Sequence, residues 1–230
     1  MPKKPSRKIK ILELFAGSRS FSKVADDFGF ETYCTDIQSF KKIDQVCDIF
    51  DFNLEKCVQS LGGFPDIIWA SPPCTYFSVA SIGYHWNPDH TPKTENAKHG
   101  VKIIERTMEI INTILLKNPN VFYIIENPRG KLRKLNLINP YEMKTVTYCQ
   151  YGDNRMKPTD IWTNINWLPK PICKNGDKCH ESAPRGSQTG TQGLKNDYEK
   201  SKVPRDLCKE ILETIIYAEE TKPKNINKES

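Results

Sequence analysis

The sequence predicts an α/β domain built on a mostly parallel, doubly wound sheet with an antiparallel hairpin at one edge. Three observations predict it. Short apolar runs alternate with segments whose apolar residues recur at helical spacing, which is the pattern of βαβ units. Two further runs in the C-terminal half follow each other too closely to enclose a helix, so they favour antiparallel neighbours. Polar residues also stand directly after several runs, where open α/β sheets carry their chemistry.

Each element follows from its own segment. The parallel strands are predicted at 8–15, 31–37, 44–50, 65–70 and 121–128. A helix that Gly29 ends follows the first strand, and a longer helix at 94–118 precedes the fifth. The hairpin is predicted at 144–151 and 159–165, and a last helix runs from about Pro204, a favourable first-turn proline, to about Tyr217.

The chain divides into three predicted parts. Residues 1–169 form the catalytic core, residues 170–202 an irregular insert, and residues 203–230 a helix that packs back on the core, followed by a basic tail. The insert is rich in Gly, Ser, Thr, Lys and Asn. A loop of that length is uncommon in a compact domain and indicates a functional or metal-stapled segment.

Charge and cysteine content restrict the class of protein. The chain has 34 Lys and Arg against 28 Asp and Glu, and its net charge of +6 is compatible with a polyanionic partner but does not require one. No apolar stretch has the length of a signal peptide core or a membrane span, so we expect an intracellular protein with no membrane association, and a monomer. Eight cysteines without dense spacing favour free thiols, with a metal site or a nucleophile possible among them.

Three strand ends predict a nucleoside pocket. The first strand leads into Leu14-Phe15-Ala16-Gly17-Ser18, a glycine-containing turn before a helix, which allows a ligand to approach the backbone closely. Asp36 ends the second strand, where a Rossmann-like fold presents a carboxylate to a ribose, and Asp48 ends the third. Each feature alone also fits a turn or a helix cap. Their order along one sheet edge favours the pocket.

Two further strand ends carry reactive groups. In IIWASPPCTYFS the fourth strand stops at two prolines that stiffen the chain, so Cys74 is held in one direction. Glu126 ends the fifth strand after a run of apolar residues. A thiolate nucleophile and a carboxyl kept protonated by apolar surroundings form a pair that can activate an electron-poor ring. A buried structural thiol and a salt-bridge partner are the alternatives.

These segments resemble the cytosine-5 DNA methyltransferases that use S-adenosyl-L-methionine. The likeness lies in LELFAGSRSFSKVADDFGF, the acidic strand ends, SPPCTYFS, IENPRG and YCQYGDNRMKPTDIWTN, in that order. It is closest to the compact forms carried by phages. The resemblance implies a Rossmann-like S-adenosylmethionine-dependent methyltransferase fold, DNA as the partner, a base flipped out of the stack, and the cytoplasm of a bacterium or a phage-infected host.

The resemblance also implies residue roles. Cys74 would attack carbon 6 of cytosine, and Glu126 would hold or protonate ring nitrogen 3. The cofactor-binding residues would be Phe15, Ala16, Gly17, Ser18, Asp36, Ile37, Asp48, Ile49 and Pro72. The substrate-binding residues would be Ser71, Pro73, Asn127, Arg155 and Lys157. The polar loop at 75–100, with Tyr84, His85 and Trp86, is a candidate lid over the flipped base, or else a surface loop.

Three departures from the family pattern affect these expectations. Arg19 stands in place of a second glycine, which bears on cofactor affinity, and Asp160 stands where an arginine is expected. Too few residues separate the hairpin from the last helix for a full target-recognition domain. We therefore expect the insert to make the nucleic-acid contacts, with Arg185 on a phosphate and Gln188 on a base edge.

The insert also carries possible metal ligands. Cys173, Cys179 and His180 are zinc-compatible, and Cys149 stands at a strand end that can lie nearby. A structural zinc would explain how a polar loop stays ordered, whereas free surface cysteines are the simpler alternative.

For the whole chain, cytosine methylation of RNA and a non-catalytic nucleic-acid-binding role remain as alternatives to methylation of DNA.

Overall fold

The computed structural model describes residues 8–79, 82–138, 142–182 and 196–221. Within these ranges a seven-stranded sheet has the order β3-β2-β1-β4-β5-β7-β6. Its strands are β1 (Lys10–Leu14), β2 (Glu31–Asp36), β3 (Gln45–Val46), β4 (Ile67–Ala70), β5 (Phe122–Pro128), β6 (Glu142–Thr147) and β7 (Pro158–Thr163). The first five strands are parallel, and β7 runs antiparallel to both β5 and β6. This confirms the predicted Rossmann-like, doubly wound sheet with its antiparallel hairpin.

Helices cover both faces of the sheet. They are α1 (Ser20–Asp27), α2 (Leu54–Leu61), α3 (Ile82–His85), α4 (Glu95–Lys117), α5 (Asp197–Ser201) and α6 (Arg205–Thr221). Along β4, Ile67 and Trp69 pack in the core that contains α1 and α6, whereas Ile68 and Ala70 pack in the core that contains α2 and α4. Because parallel strands are buried on both faces, their sequences read as continuous apolar runs.

Several elements differ from the prediction. The third strand covers only Gln45–Val46 of the predicted 44–50, and the short helices α3 and α5 lie where a loop and an irregular insert were predicted. The expected strand at 144–151 ends at Thr147, and Tyr148–Tyr151 form a 3₁₀ turn that Gly152 ends with a positive φ of 85°. The sequence analysis also missed α2, although Asn53 accepts a hydrogen bond from the Lys56 amide at its start and Gly62 ends it. The division of the chain into three parts stays a prediction, although α6 does pack on the core against α1.

Candidate functional site

The carboxyl ends of β1, β2 and β4 open onto a cleft of about 1630 Å³. Seven of the nine predicted cofactor-binding residues line it: Phe15, Gly17, Ser18, Asp36, Ile37, Asp48 and Ile49. Two predicted substrate-binding residues, Ser71 and Pro73, border it as well. Ala16 and Pro72 do not line the cleft; Ala16 is buried, and its amide donates to the carbonyl of Thr35 at 2.9 Å. The predicted pocket residues therefore converge on one edge of the sheet.

The turn from β1 to α1 is held by two carboxylates. The Gly17 amide donates to Asp36 Oδ2 at 2.8 Å, and Gly17 has a positive φ of 44°, which glycine adopts without strain. Glu13 is buried and accepts hydrogen bonds from the amides of Phe21 and Ser22, in the first turn of α1. Burial raises the pKa of Glu13, although these donors oppose the shift. Two backbone amides in the first turn of α1 thus have partners within the protein. The loop between β1 and α1 borders the cleft through Gly17 and Ser18.

Arg19 takes the left-handed conformation, with φ of 54°, at the position where the family has a glycine. Its side chain is buried: Nε donates to Cys34 Sγ at 3.2 Å, and the guanidinium also contacts Asp26 and Thr32. These contacts stabilise a backbone shape that an arginine ordinarily avoids. The substitution therefore keeps the shape of the turn.

Asp36 and Asp48 serve as turn caps while they line the cleft. Asp36 Oδ1 accepts from the Gln38 amide at 2.8 Å, and Asp48 Oδ1 accepts from the Phe50 amide at 3.1 Å. The capping alternative raised by the sequence is thus observed. A carboxylate has about four acceptor sites, so capping leaves each of these residues able to accept from a ligand hydroxyl.

Cys74 follows β4, and Glu126 lies near the carboxyl end of the neighbouring parallel strand β5. Cys74 is partly buried, and its sequence neighbours Pro73 and Thr75 line the cleft. Asn127 Nδ2 donates to the carbonyl of Pro72 at 2.9 Å, which ties the double-proline turn to the end of β5. A Cβ atom at Gly130 would lie 2.2 Å from the carbonyl oxygen of Phe77, so glycine at this position lets the two segments meet closely.

Glu126 is buried and accepts a hydrogen bond of 2.7 Å from the Tyr148 hydroxyl on Oε1. Burial raises the pKa of the Tyr148 phenol, and the adjacent Glu126 raises it further, so Tyr148 is the donor. Lys157 Nζ lies 4.7 Å from the centre of the Tyr148 ring and donates to the carbonyl of Lys200 at 3.1 Å. Sequence reasoning missed Tyr148. Its only local signal was an aromatic residue at the end of a strand.

Arg155, which is predicted to bind substrate, contacts other parts of the protein. The residue is buried, its guanidinium pairs with Asp153, and it donates to the carbonyls of Lys200 and Lys202 at 3.4 Å. Two chain segments meet through this side chain. Arg155 thus has an internal structural role that the sequence did not indicate.

Asp160, the other departure from the family, is fully buried in β7. It accepts two hydrogen bonds from Arg133, at 2.9 and 2.6 Å, and one from Thr145 at 2.8 Å. A bidentate arginine pair is a favourable partner for a buried carboxylate. The acidic residue is therefore accommodated by Arg133, from the 3₁₀ turn Lys131–Lys134.

The C-terminal end of the insert borders the cleft, which the sequence did not predict. Asn196, Tyr198 and Ser201, from α5 and its N-cap, line the cleft together with Arg205. The centre of the Tyr198 ring lies 5.3 Å from the centre of the Phe40 ring, in the segment that follows β2. The insert is predicted to make the nucleic-acid contacts, whereas this end of it lies at the predicted cofactor pocket. Arg185 and Gln188 lie outside the described residues.

The candidate lid is anchored at its middle. Trp86 is buried, packs 5.8 Å from the ring of Phe77, and donates from Nε1 to the Tyr76 carbonyl at 2.7 Å. His85 is also buried and makes a 2.7 Å hydrogen bond with Thr94. Tyr84, by contrast, is 71% exposed. Of the three aromatic residues proposed for the lid, Tyr84 is the one that faces solvent.

The four predicted metal ligands come together. One ligand atom from each of Cys149, Cys173, Cys179 and His180 lies within 4.8 Å of all the others. Cys149 lies in the 3₁₀ turn that follows β6, and the other three belong to the insert. The cluster is separate from the residues that line the cleft.

The chain is similar in sequence to a protein of Frog virus 3 (isolate Goorha) described as a probable DNA (cytosine-5)-methyltransferase. The two are 29% identical over 177 residues, which cover 74% of this chain and 78% of the relative. This relative confirms the resemblance to cytosine-5 DNA methyltransferases and supports a methyltransferase activity. No protein-family model matches the chain.

Two solved structures are similar to the chain at low identity. The Entamoeba histolytica methyltransferase EhMeth has a TM-score of 0.48 and 16% identity, over 75% of this chain and 58% of its own. The S. pombe Dnmt2 methyltransferase has a TM-score of 0.40 and 12% identity, over 71% and 52%. The chain thus spans little more than half the length of these structures.

None of the helices in the described ranges has the length and apolar character needed to cross a bilayer.

Proposed function

We propose that this relative of the cytosine-5 DNA methyltransferases transfers a methyl group from S-adenosyl-L-methionine to carbon 5 of cytosine in DNA. The observation that carries the proposal is the hydrogen bond that connects the end of β5 to the turn after β4. Asn127, beside Glu126, holds the turn that bears Cys74 next to a large cleft. A nucleophile and an acid on neighbouring strands are what addition to a cytosine ring requires. Pro73 and Thr75, on either side of Cys74, line the cleft. The viral relative supports DNA as the substrate.

The cleft suits the cofactor. Among its lining residues, the Asp36 and Asp48 carboxylates can accept hydrogen bonds from ribose or adenine groups. The positive φ of Gly17 belongs to a tight turn whose backbone borders the cleft. When bound, S-adenosyl-L-methionine supplies an electrophilic methyl group. Tyr198 and Phe40, whose rings lie 5.3 Å apart and which both line the cleft, would contact the adenosine, a role that the sequence did not suggest.

The protein groups would act in two stages. Cys74, as a thiolate, adds to carbon 6 while Glu126 Oε2 holds a proton at ring nitrogen 3, and the electron pair of the 5,6 double bond makes carbon 5 nucleophilic. Tyr148 keeps Glu126 Oε1 occupied and so fixes the direction of the carboxyl group. After carbon 5 has taken the methyl group, a solvent water molecule removes its proton, and the electron pair left behind re-forms the 5,6 double bond as the bond from carbon 6 to sulfur breaks. Cys74 leaves as a thiolate, and the proton at ring nitrogen 3 returns to Glu126. The target atom is unreachable inside a duplex, so the base must be flipped.

The test is covalent trapping. Duplex DNA with 5-fluorocytosine, incubated with the full chain and S-adenosyl-L-methionine, should form a protein adduct because fluorine cannot leave as a proton does. Cys74→Ser should abolish both the adduct and transfer of a labelled methyl group to ordinary DNA. Cys57→Ala, a thiol change in the core at α2, should form the adduct. An adduct that persists in Cys74→Ser would refute the nucleophile, and label that enters transfer RNA but not DNA would make the protein an RNA methyltransferase.

A further inference from the structure

A second cluster of reactive side chains lies outside the cleft and is not used in the proposed reaction. Cys149 lies in the 3₁₀ turn after β6, while Cys173, Cys179 and His180 lie within a stretch of the insert that has no helix or strand. We propose that these four residues bind one structural zinc ion in a Cys₃His site. The proposal is independent of the methyl-transfer chemistry.

The distances match a tetrahedron. With bonds of about 2.3 Å from zinc to sulfur, tetrahedral ligand atoms lie about 3.8 Å apart, and slightly closer where one ligand is nitrogen. Cys179 Sγ lies 3.7 Å from Cys149 Sγ, and His180 Nδ1 lies 3.6 Å from Cys179 Sγ and 3.7 Å from Cys173 Sγ. The separation of 3.0 Å between Cys149 Sγ and Cys173 Sγ is shorter than these distances, and the two sulfurs would move apart around an ion.

The surroundings favour a metal over four unrelated side chains. His180 directs Nδ1 at two sulfurs, which is how an imidazole nitrogen and thiolates are arranged around one ion. Cys149 and Cys173 are each only 8% exposed. A disulfide between these two would use half of the cluster and leave no reason for Cys179 and His180 to converge on it. One zinc ion would engage all four groups and neutralise the thiolates that it requires.

Four protein ligands leave no open coordination position, so the role is structural. The Cys173 amide donates to Thr147 Oγ1 at 3.1 Å, and the Glu181 amide donates to the carbonyl of Asn154 at 2.9 Å, so the loop already lies along the turn after β6. Cys149 directly follows Tyr148, which contacts Glu126. A zinc ion here would anchor the start of the insert to the turn that supports the predicted acid.

Metal content gives the first test. The full chain, produced with zinc in the medium and purified under reducing conditions, should contain about one zinc per chain by mass spectrometry, with X-ray absorption showing three sulfur ligands at about 2.3 Å and one nitrogen at about 2.0 Å. Cys179→Ser is the preferred variant because Cys179 is exposed and its change should leave the core folded. It and His180→Ala should lower the zinc content, whereas Cys57→Ala should retain it.

Two results would overturn the proposal. One is wild-type protein that binds no zinc in reducing buffer while it folds cooperatively. The other is Cys179→Ser protein with full zinc content and an unchanged ligand shell. A strong chelator gives a second measurement: it should lower the melting temperature of the wild-type chain but not that of Cys179→Ser. Cys74→Ser should keep its zinc whatever happens to methylation, so failure of the metal site and failure of the proposed function are distinguishable.

Discussion

The Asn127 side chain donates a 2.9 Å hydrogen bond to the main-chain carbonyl of Pro72 and thereby couples β5 to the turn that carries Cys74. Asn127 is fully buried, and its Oδ1 has no partner among the described residues. The resemblance had implied that Asn127 binds substrate. Its side-chain amide donates to the protein, which leads us to predict that Asn127 positions the turn bearing Cys74; substrate binding by Asn127 stays a prediction.

Asn127→Ala should therefore reduce turnover through the geometry of Cys74. The Pro72 carbonyl would lose its donor, and we expect a loss of about 1–3 kcal/mol in the free energy of unfolding. In single-turnover assays the rate of adduct formation with 5-fluorocytosine DNA should fall, with S-adenosyl-L-methionine affinity unchanged. Asn120→Ala, an exposed change before β5, serves as the control. Normal adduct formation in Asn127→Ala would show that the contact does not position Cys74.

Glu126→Gln keeps the shape of the side chain but removes the acid. Turnover should fall at least about a hundredfold, the usual scale for loss of a general acid, while cofactor binding measured by calorimetry should hardly change. Tyr148→Phe should cause a smaller loss, about 1.5–3 kcal/mol in the free energy of activation, because one hydrogen bond to the carboxyl disappears. Tyr217→Phe, on the exposed side of α6, is the matched control. If Glu126→Gln turned over normally, the residue would have only a structural role.

Arg155→Ala separates the two roles considered for this residue. Because the guanidinium holds Asp153 and the carbonyls of Lys200 and Lys202, we expect a lower melting temperature and weaker cofactor binding, with an unchanged salt slope of DNA binding. Arg129→Ala is the contrasting variant, because Arg129 is exposed and lies directly after β5. Loss of a phosphate contact reduces the magnitude of the slope of log K against log salt by about one. A slope reduced in this way in Arg155→Ala would restore the phosphate-binding role.

Tyr198→Ala should weaken S-adenosyl-L-methionine binding, because its ring borders the cleft beside Phe40. Removal of one ring that stacks on a base corresponds to about 1–3 kcal/mol. Equilibrium dialysis with labelled cofactor measures the change, and Tyr217→Ala controls for loss of a tyrosine elsewhere. An unchanged dissociation constant would mean that α5 lies beside the pocket without contacting the adenosine.

Local patterns in the chain were sufficient for the sheet and for most of the residues on its edge. Apolar runs predicted the parallel strands because strands buried on both faces need apolar side chains throughout, and polar residues at their ends marked Asp36, Cys74 and Glu126. The cysteines and the histidine of the insert were recognisable by ligand type alone. Helix α2 was missed although its signals are local: the sequence contains the residues that cap both of its ends, Asn53 and Gly62.

The sequence by itself determined the order of the strands along the chain, the reactive groups at their ends and the ligand types of the cluster, because these depend on neighbours in the chain. Only the tertiary structure decided that Tyr148 contacts Glu126, that Arg155 is internal, and that Tyr198 reaches the cleft. These relationships join residues far apart in sequence. Their geometry depends on packing of whole elements, and no periodicity or spacing within one segment encodes it.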